Sequence, residues 1–380
     1  MDQKKILFVV NYLPGGGLEQ VLYDTVEALK SSADIHVLSI YQTNSHYLDK
    51  ISCYCQVSFL DGYRHQLRGK LIKSFYSRLF DTTWFQKILF KQYLKKTHFD
   101  IVISFAEGWS IELVANSELK GTKKFVWIHT DFTKNESFQN NLAHYQRLLQ
   151  MFDKTIFVSS NLHKAFSNYL SLRTPVIIHN GIDIDRIKRL SEEANNTNIP
   201  GDRLNFVSVG RLSHEKGFDR LISSFSQLHM TQREKCHLTI IGEGQERAKL
   251  QKLINENDLN ETITLQGQLK NPFPVIKACD VMLAASRYEG FGLAVLEAMA
   301  LGIPIIATNT TGFSEILQSG QYGVILENAD NAFDDVLKLV IDNPQYAMSY
   351  SDRASKRAED FNIRTFQEQV RKTLVYEQYN

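Results

Sequence analysis

The chain has 380 residues, 43% of them hydrophobic and 22% charged, which is enough for two domains of ordinary size, each with its own core. No apolar run approaches the length of a membrane-spanning helix, so a soluble globular protein is expected. The net charge of +1 hides an asymmetry: 21 Lys/Arg stand against 15 Asp/Glu up to Ile182, and 22 against 27 beyond it, so the first half carries the surface that prefers an anionic partner.

The start, Met1 to Lys5, has neither the apolar core nor the cleavage site of a secretory signal. Ile6 to Val10 reads as a buried strand, then a Gly15-Gly16-Gly17 turn, then a helix from about Leu18 to Lys30. Strand, glycine turn and helix start together can cradle phosphate, although many such turns only reverse the chain. The spacing is not a dinucleotide fingerprint, and the next strand, Ile35 to Ile40, ends without the acid that binds an adenosine ribose. Four cysteines, Cys53, Cys55, Cys236 and Cys279, show neither zinc-ligand spacing nor a disulfide framework, which points to reduced thiols and the cytosol.

From Arg64 to Lys96 the texture changes: nine Lys/Arg, one acid (Asp81) and seven aromatics are interleaved with leucines. Helices of this composition lie on anionic membrane surfaces, and the competing reading is a helix pair whose apolar side faces the core. A nucleic-acid surface is not expected, because the excess charge is confined to this patch. Strands follow at Ile101 to Ser104, Phe125 to Ile128 (ending at His129), Thr155 to Val158 and Val176 to Ile178. Each precedes a helical pattern, so the first half is a parallel sheet with helices on both faces, and Gly15 to Gly17 and His129 fall on its carboxyl rim.

Asn180 to Asp183 lead into a polar run, Ser191 to Asp202, where the domain break is expected. Asp183-Ile-Asp185 spells a D-x-D that binds metal in some transferases, but here it opens a polar helix beside the break. The alternation then restarts: strands at Asn205 to Val209, Leu238 to Ile241 and Ile263 to Leu265, with helices from Gly217, from Gln245 and near Phe273, and continues to about Ile325 before a helical tail. Gly210-Arg211 to Lys216-Gly217 follows the first of these strands. Arg supplies a fork of donors and Lys a compact charge, well placed for a diphosphate, although a solvated turn would look the same in isolation.

A strand from Val281 to Ala285 enters a Gly-punctuated loop and a helix from about Leu293 to Leu301 that is apolar almost all round, hence expected to be buried. Glu297 lies in its middle. A buried carboxylate needs a hydrogen-bonding partner, either a lysine or arginine or a polyhydroxylated ligand also held by Glu289 in the loop before it. The free N–H groups at the helix start suit an anion.

Gly210-Arg-Leu with Glu215-Lys216-Gly217, the pair Glu289 and Glu297 with seven residues between, Asn180-Gly-Ile-Asp183 and Gly15-Gly-Gly-Leu-Glu19 together resemble the retaining glycosyltransferases of family 4, the group 1 glycosyl transferases. The resemblance is strong from about Phe206 to Gly323 and looser before it. It implies an α/β GT-B fold, two doubly wound Rossmann-like domains facing each other across a cleft. The expected division is an acceptor domain over residues 1–182, with the C-terminal helix of about 362–380 packed back on it, and a donor domain over 183–361. Arg211 and Lys216 would bind the donor diphosphate, Glu297 the ribose hydroxyls and Glu289 the sugar hydroxyls. Backbone groups of Phe291, Gly292 and Leu293 would reach the diphosphate and sugar, Gly267 and Leu269 would line the base, Gly16 and Gly17 would close on the donor, and His129 would stand near the reacting carbon.

The activity so implied is retaining transfer of a hexosyl or N-acetylhexosaminyl group from a nucleotide diphosphate sugar, with UDP the expected nucleotide, to a lipid-linked or cell-surface polysaccharide precursor. No metal or other cofactor is expected, and the place of action would be the cytoplasm, on the inner membrane face through Arg64 to Lys96. The alternative is a transferase-like subunit that supports an active partner. A nicotinamide-dependent enzyme is disfavoured by the missing fingerprint.

Overall fold

Two parallel sheets organise the chain in the computed structural model, which describes residues 3–13, 16–42, 46–62, 77–194 and 199–377. Gly15 and residues 64–76 of the basic stretch lie outside the described residues. The chain divides into two units: residues 1–179 with 364–380, and residues 180–363.

The first unit holds seven strands, β1 (Lys4–Val10), β2 (Ala33–Ser39), β3 (Gln56–Phe59), β4 (Ile101–Ser104), β5 (Lys123–Ile128), β6 (Lys154–Phe157) and β7 (Pro175–Ile177). They lie in the order β3-β2-β1-β4-β5-β6-β7, every pair parallel. Parallel strands covered on both faces must be apolar on both, and Ile6 to Val10, Ile101 to Ile103 and Phe125 to Ile128 are all fully enclosed. The edge strand β3 was not expected from its sequence. Its Gln-Val-Ser-Phe pattern is only half-buried, so it lacks the apolar run that marks the central strands. The last stretch packs in this unit: Phe366 is buried with its ring against Trp127, and the Arg371 guanidinium donates to Ala28 O at 3.2 Å.

The second unit holds β8 (Leu204–Val209), β9 (Cys236–Ile241), β10 (Ile263–Gly267), β11 (Val281–Ala284), β12 (Ile305–Thr308) and β13 (Val324–Leu326), in the order β10-β9-β8-β11-β12-β13, again all parallel. Phe206, Leu238, Ile240, Leu283 and Ile306 meet Leu221, Phe225 and Leu337 in its core. Asp183 explains itself as a helix cap: its carboxylate accepts the Arg186 N–H at 2.9 Å and starts the helix Ile184–Ser191. Among the described residues no group of three or more His, Cys, Asp or Glu could hold a metal ion, and no helix is long and apolar enough to cross a membrane.

Each sheet reverses its strand order once, at β1/β4 in the first unit and at β8/β11 in the second. At such a point the loops leaving the two neighbouring strands run to opposite faces, and an opening forms beyond their carboxyl ends. The chemistry-bearing side chains gather there.

Candidate functional site

In the second unit β8 ends at Val209, and the chain passes Gly210 and the exposed Arg211 into a 3-10 turn, His214–Lys216. Gly217 closes that turn with φ +68°, and a Cβ there would stand 2.1 Å from Ala285 O at the end of β11. Only glycine satisfies both the left-handed backbone and the close approach. The Lys216 stem runs past Gly210, and its Nζ meets Glu289 Oε2 at 2.5 Å. Glu289 is itself tethered: its carbonyl accepts Gly312 N–H at 2.9 Å and Thr311 Oγ1–H at 2.8 Å.

Beyond Glu289, Phe291 is buried and Gly292, at φ +110°, starts the helix Leu293–Ala300. A side chain on Gly292 would strike the Phe313 ring, with a Cβ 2.6 Å away. The expectation that this helix is buried all round is corrected. Leu293, Ala294 and Glu297 are half-buried, because they share the side left open at the carboxyl end of the sheet, while Val295, Leu296, Ala298 and Met299 fill the core. Gly267 closes β10 with its carbonyl accepting Gly242 N–H at 2.9 Å, and Leu269 follows, half-buried.

One group of partners was not singled out by the sequence. The Arg287 guanidinium grips Asp219 with two bonds of 2.8 Å and donates to His214 O at 2.8 Å, while its backbone N–H donates to Glu215 O at 2.8 Å. Burial alone would raise the Asp219 carboxyl, but the bonds and charge of Arg287 outweigh it and hold the carboxyl below its usual range. The available signal was Arg287 two residues before Glu289, in a loop otherwise short of charge.

In the first unit, Gly16 precedes the helix Gly17–Leu29 and accepts Gln20 N–H at 3.1 Å. His129 follows β5, its ring against Phe105 at 4.6 Å between centroids and nearly parallel to Trp127 at 5.8 Å. Its Nε2 is closed off from solvent with no partner among the described residues. Burial pushes the His129 pKa down to about 3, so the ring is neutral. The Glu107 carboxylate accepts the N–H groups of His129 and Thr130, the latter at 2.7 Å, and Glu107 O accepts Asn11 Nδ2–H at 2.5 Å. Burial raises Glu107 to about 6, against the lowering effect of those amide bonds. The sequence reading passed over Glu107, although Glu107-Gly108 after β4 repeats the pattern of Glu289-Gly290 after β11.

Of the residues expected to act together, Lys216 and Glu289 touch, Arg211 stands in the segment that leads from β8 into the Lys216 turn, and Gly292 starts the helix that carries Leu293 and Glu297. Arg211 is exposed. The Lys216–Glu289 pair sets a cation able to bind an anion against a carboxylate able to accept hydroxyl groups.

Comparison with known proteins covers both units. The family described as glycosyl transferases group 1 matches residues 191–357, and the one described as glycosyltransferase family 4 matches residues 15–186. An uncharacterized glycosyltransferase of Methanocaldococcus jannaschii is 30% identical over 52% of this chain, which spans 57% of that relative's length. N-acetylgalactosamine-N,N'-diacetylbacillosaminyl-diphospho-undecaprenol 4-alpha-N-acetylgalactosaminyltransferase of Campylobacter jejuni is 24% identical over 95% of this chain and 96% of its own. Among solved structures, Anabaena HepE in complex with UDP and glucose superposes with a TM-score of 0.77 at 19% identity, over 99% of this chain and 100% of its own.

The half-buried, neutral His129, its Nε2 closed off from solvent, generates a prediction with a definite sign. Its folded pKa lies below the ordinary value of about 6.5, so the unfolded chain binds a proton that the folded one refuses, and stability falls as pH drops from about 6.5 toward 3. Glu107 acts oppositely between its ordinary value and about 6, which a Glu107→Gln background removes. The His129 ring carbon shifts, followed by NMR, should stay flat from about pH 8 to pH 4; a midpoint near the ordinary histidine value would contradict the enclosed site.

Proposed function

Because the chain belongs to the group 1 glycosyl transferases of family 4, with the GT-B fold, we propose that it transfers a hexosyl or N-acetylhexosaminyl group from a UDP-sugar to a lipid-linked or cell-surface polysaccharide precursor. The observation that carries this reading is the Lys216–Glu289 contact at the β8/β11 reversal, with Arg211 in the segment that leads into the Lys216 turn. A UDP-sugar is favoured because the Anabaena protein of the same fold was solved with UDP and glucose. A lipid-linked acceptor is favoured because the Campylobacter relative is named for a diphospho-undecaprenol substrate.

The chemistry follows from the charges. The bond between the anomeric carbon and the diphosphate oxygen breaks, and the nucleoside diphosphate leaves with the electron pair. Lys216, Arg211 and the start of the helix Leu293–Ala300 stabilise that growing negative charge, and each such fixed donor is worth about 10²–10³ in rate. The acceptor hydroxyl oxygen bonds to the anomeric carbon from the face the leaving group vacates, and its proton passes to the diphosphate, so configuration is retained. Glu289 accepts sugar hydroxyls, Glu297 accepts ribose hydroxyls, and the backbone beyond Gly267 and at Leu269 borders the base. Phe291, Gly292 and Leu293 present backbone N–H groups to the donor. With cations already in place the reaction runs without a metal ion.

We further propose contact with an anionic membrane surface through the basic stretch. In its described part, the helix Thr83–Leu94 exposes Trp84 (56%) and Ile88 (42%), with Lys91 and Lys95 exposed at the spacing of the same helical side. Apolar side chains entering the interface beside lysines that meet anionic headgroups are the elements of such a surface.

Lys216→Ala and Glu289→Ala should each lower sugar transfer, assayed in EDTA with several UDP-sugars and a membrane lipid extract, by about two orders of magnitude or more in folded protein. Near-normal rates would end the assignment, and loss of activity in EDTA would end its metal-free form. Reversing the charges of Lys87, Lys91, Lys95 and Lys96 should abolish co-sedimentation with phosphatidylglycerol vesicles; undiminished binding would refute the membrane contact.

A further inference from the structure

We propose that Arg287 is a positioning residue of the donor site: its guanidinium holds the turn His214–Gly217 against the loop Ser286–Glu289 and so sets where Lys216 Nζ stands opposite Glu289. The inference rests on the reading that Lys216 and Glu289 hold the donor.

The two loops come from β8 and β11, far apart in sequence, and nothing in either strand fixes their separation once the strands end. Arg287 does so with three kinds of bond. Its backbone N–H donates to Glu215 O, one terminal nitrogen donates to His214 O and to Asp219 Oδ1, and the other donates to Asp219 Oδ2, each at 2.8 Å. Asp219 lies in the first turn of the helix Phe218–Ser226, directly after Gly217, so the turn that carries Lys216 is held at both of its ends.

Further links close a ring around the contact. Asn328 Nδ2–H donates to Arg287 O at 2.8 Å, Arg220 donates to Asn328 Oδ1 at 2.6 Å and to Asp330 Oδ1 at 2.8 Å, and Asp330 lies 3.5 Å from Arg287. Two arginines face two aspartates, so the ring lends little net charge to an incoming diphosphate. Both terminal nitrogens of Arg287 are committed to protein oxygens, which leaves geometry as what it contributes. Lysine cannot substitute, because one compact ammonium cannot span a carboxylate with two parallel bonds and also reach a carbonyl.

Titration calorimetry with UDP, together with transfer rates, on the full chain tests this. Arg287→Lys and Asp219→Asn break the same grip from opposite sides, so either suffices if the other fails to fold. Both should raise the UDP Kd about tenfold and lower transfer by about 10², the cost of a donor group displaced by a fraction of its length. A purely structural role would lower the binding stoichiometry through the folded fraction and leave the Kd unmoved. If Lys216→Ala weakens UDP binding while Arg287→Lys and Asp219→Asn do not, the inference is overturned and the donor reading stands. If Lys216→Ala also leaves the Kd unchanged, the donor reading fails, and this one with it.

Discussion

A lysine and a glutamate brought within 2.5 Å of each other at the point where a parallel sheet reverses its strand order is the contact around which the second unit is arranged. Neither loop could reach it unaided. Gly217 lets the first loop press against the end of β11, Gly292 lets the second turn into its helix, and Arg287 ties one to the other. The opposing charges balance in the absence of a ligand. An anion entering there competes with Glu289 for Lys216, and a hydroxyl-bearing ligand competes with Lys216 for Glu289. A molecule that carries both, a diphosphate joined to a sugar, satisfies each with the partner it prefers, which is the physical ground for the donor assignment.

Much of this could be read before any coordinates. The central strands announce themselves because both faces are covered: Ile6 to Val10, Ile101 to Ile103 and Phe125 to Ile128 have no polar interruption, and the structure places strands over each of them. The chain's reversals were marked by glycines with a steric duty, as at Gly217 and Gly292. The signals that failed were those that depend on neighbours. β3 is an edge strand and carries only a weak pattern. Glu297 looked like a core carboxylate because its helix is apolar in composition, yet composition cannot say which side of a helix is left uncovered. Arg287 and Glu107 could not be recognised as connectors, because what they connect is distant in sequence: Glu215 and Asp219 for one, His129 and Thr130 for the other.

The first unit uses the same device with different groups. Glu107 leaves β4, is held through its carbonyl by Asn11 beyond β1, and in turn holds the peptide of His129 beyond β5. Three strand ends are thereby linked by two side chains, Asn11 and Glu107, at the β1/β4 strand-order reversal. Burial keeps the imidazole neutral and raises the Glu107 carboxyl to about 6, while the amide bonds from His129 and Thr130 favour its ionised form.

The most direct test of the central claim is a crystal structure of the protein with UDP. The account predicts the diphosphate within hydrogen-bonding distance of Lys216 Nζ and the Arg211 guanidinium, beside the start of the helix Leu293–Ala300, with the Lys216–Glu289 bond exchanged for the ligand. A nucleotide bound elsewhere, with Lys216 and Glu289 still paired, would contradict it.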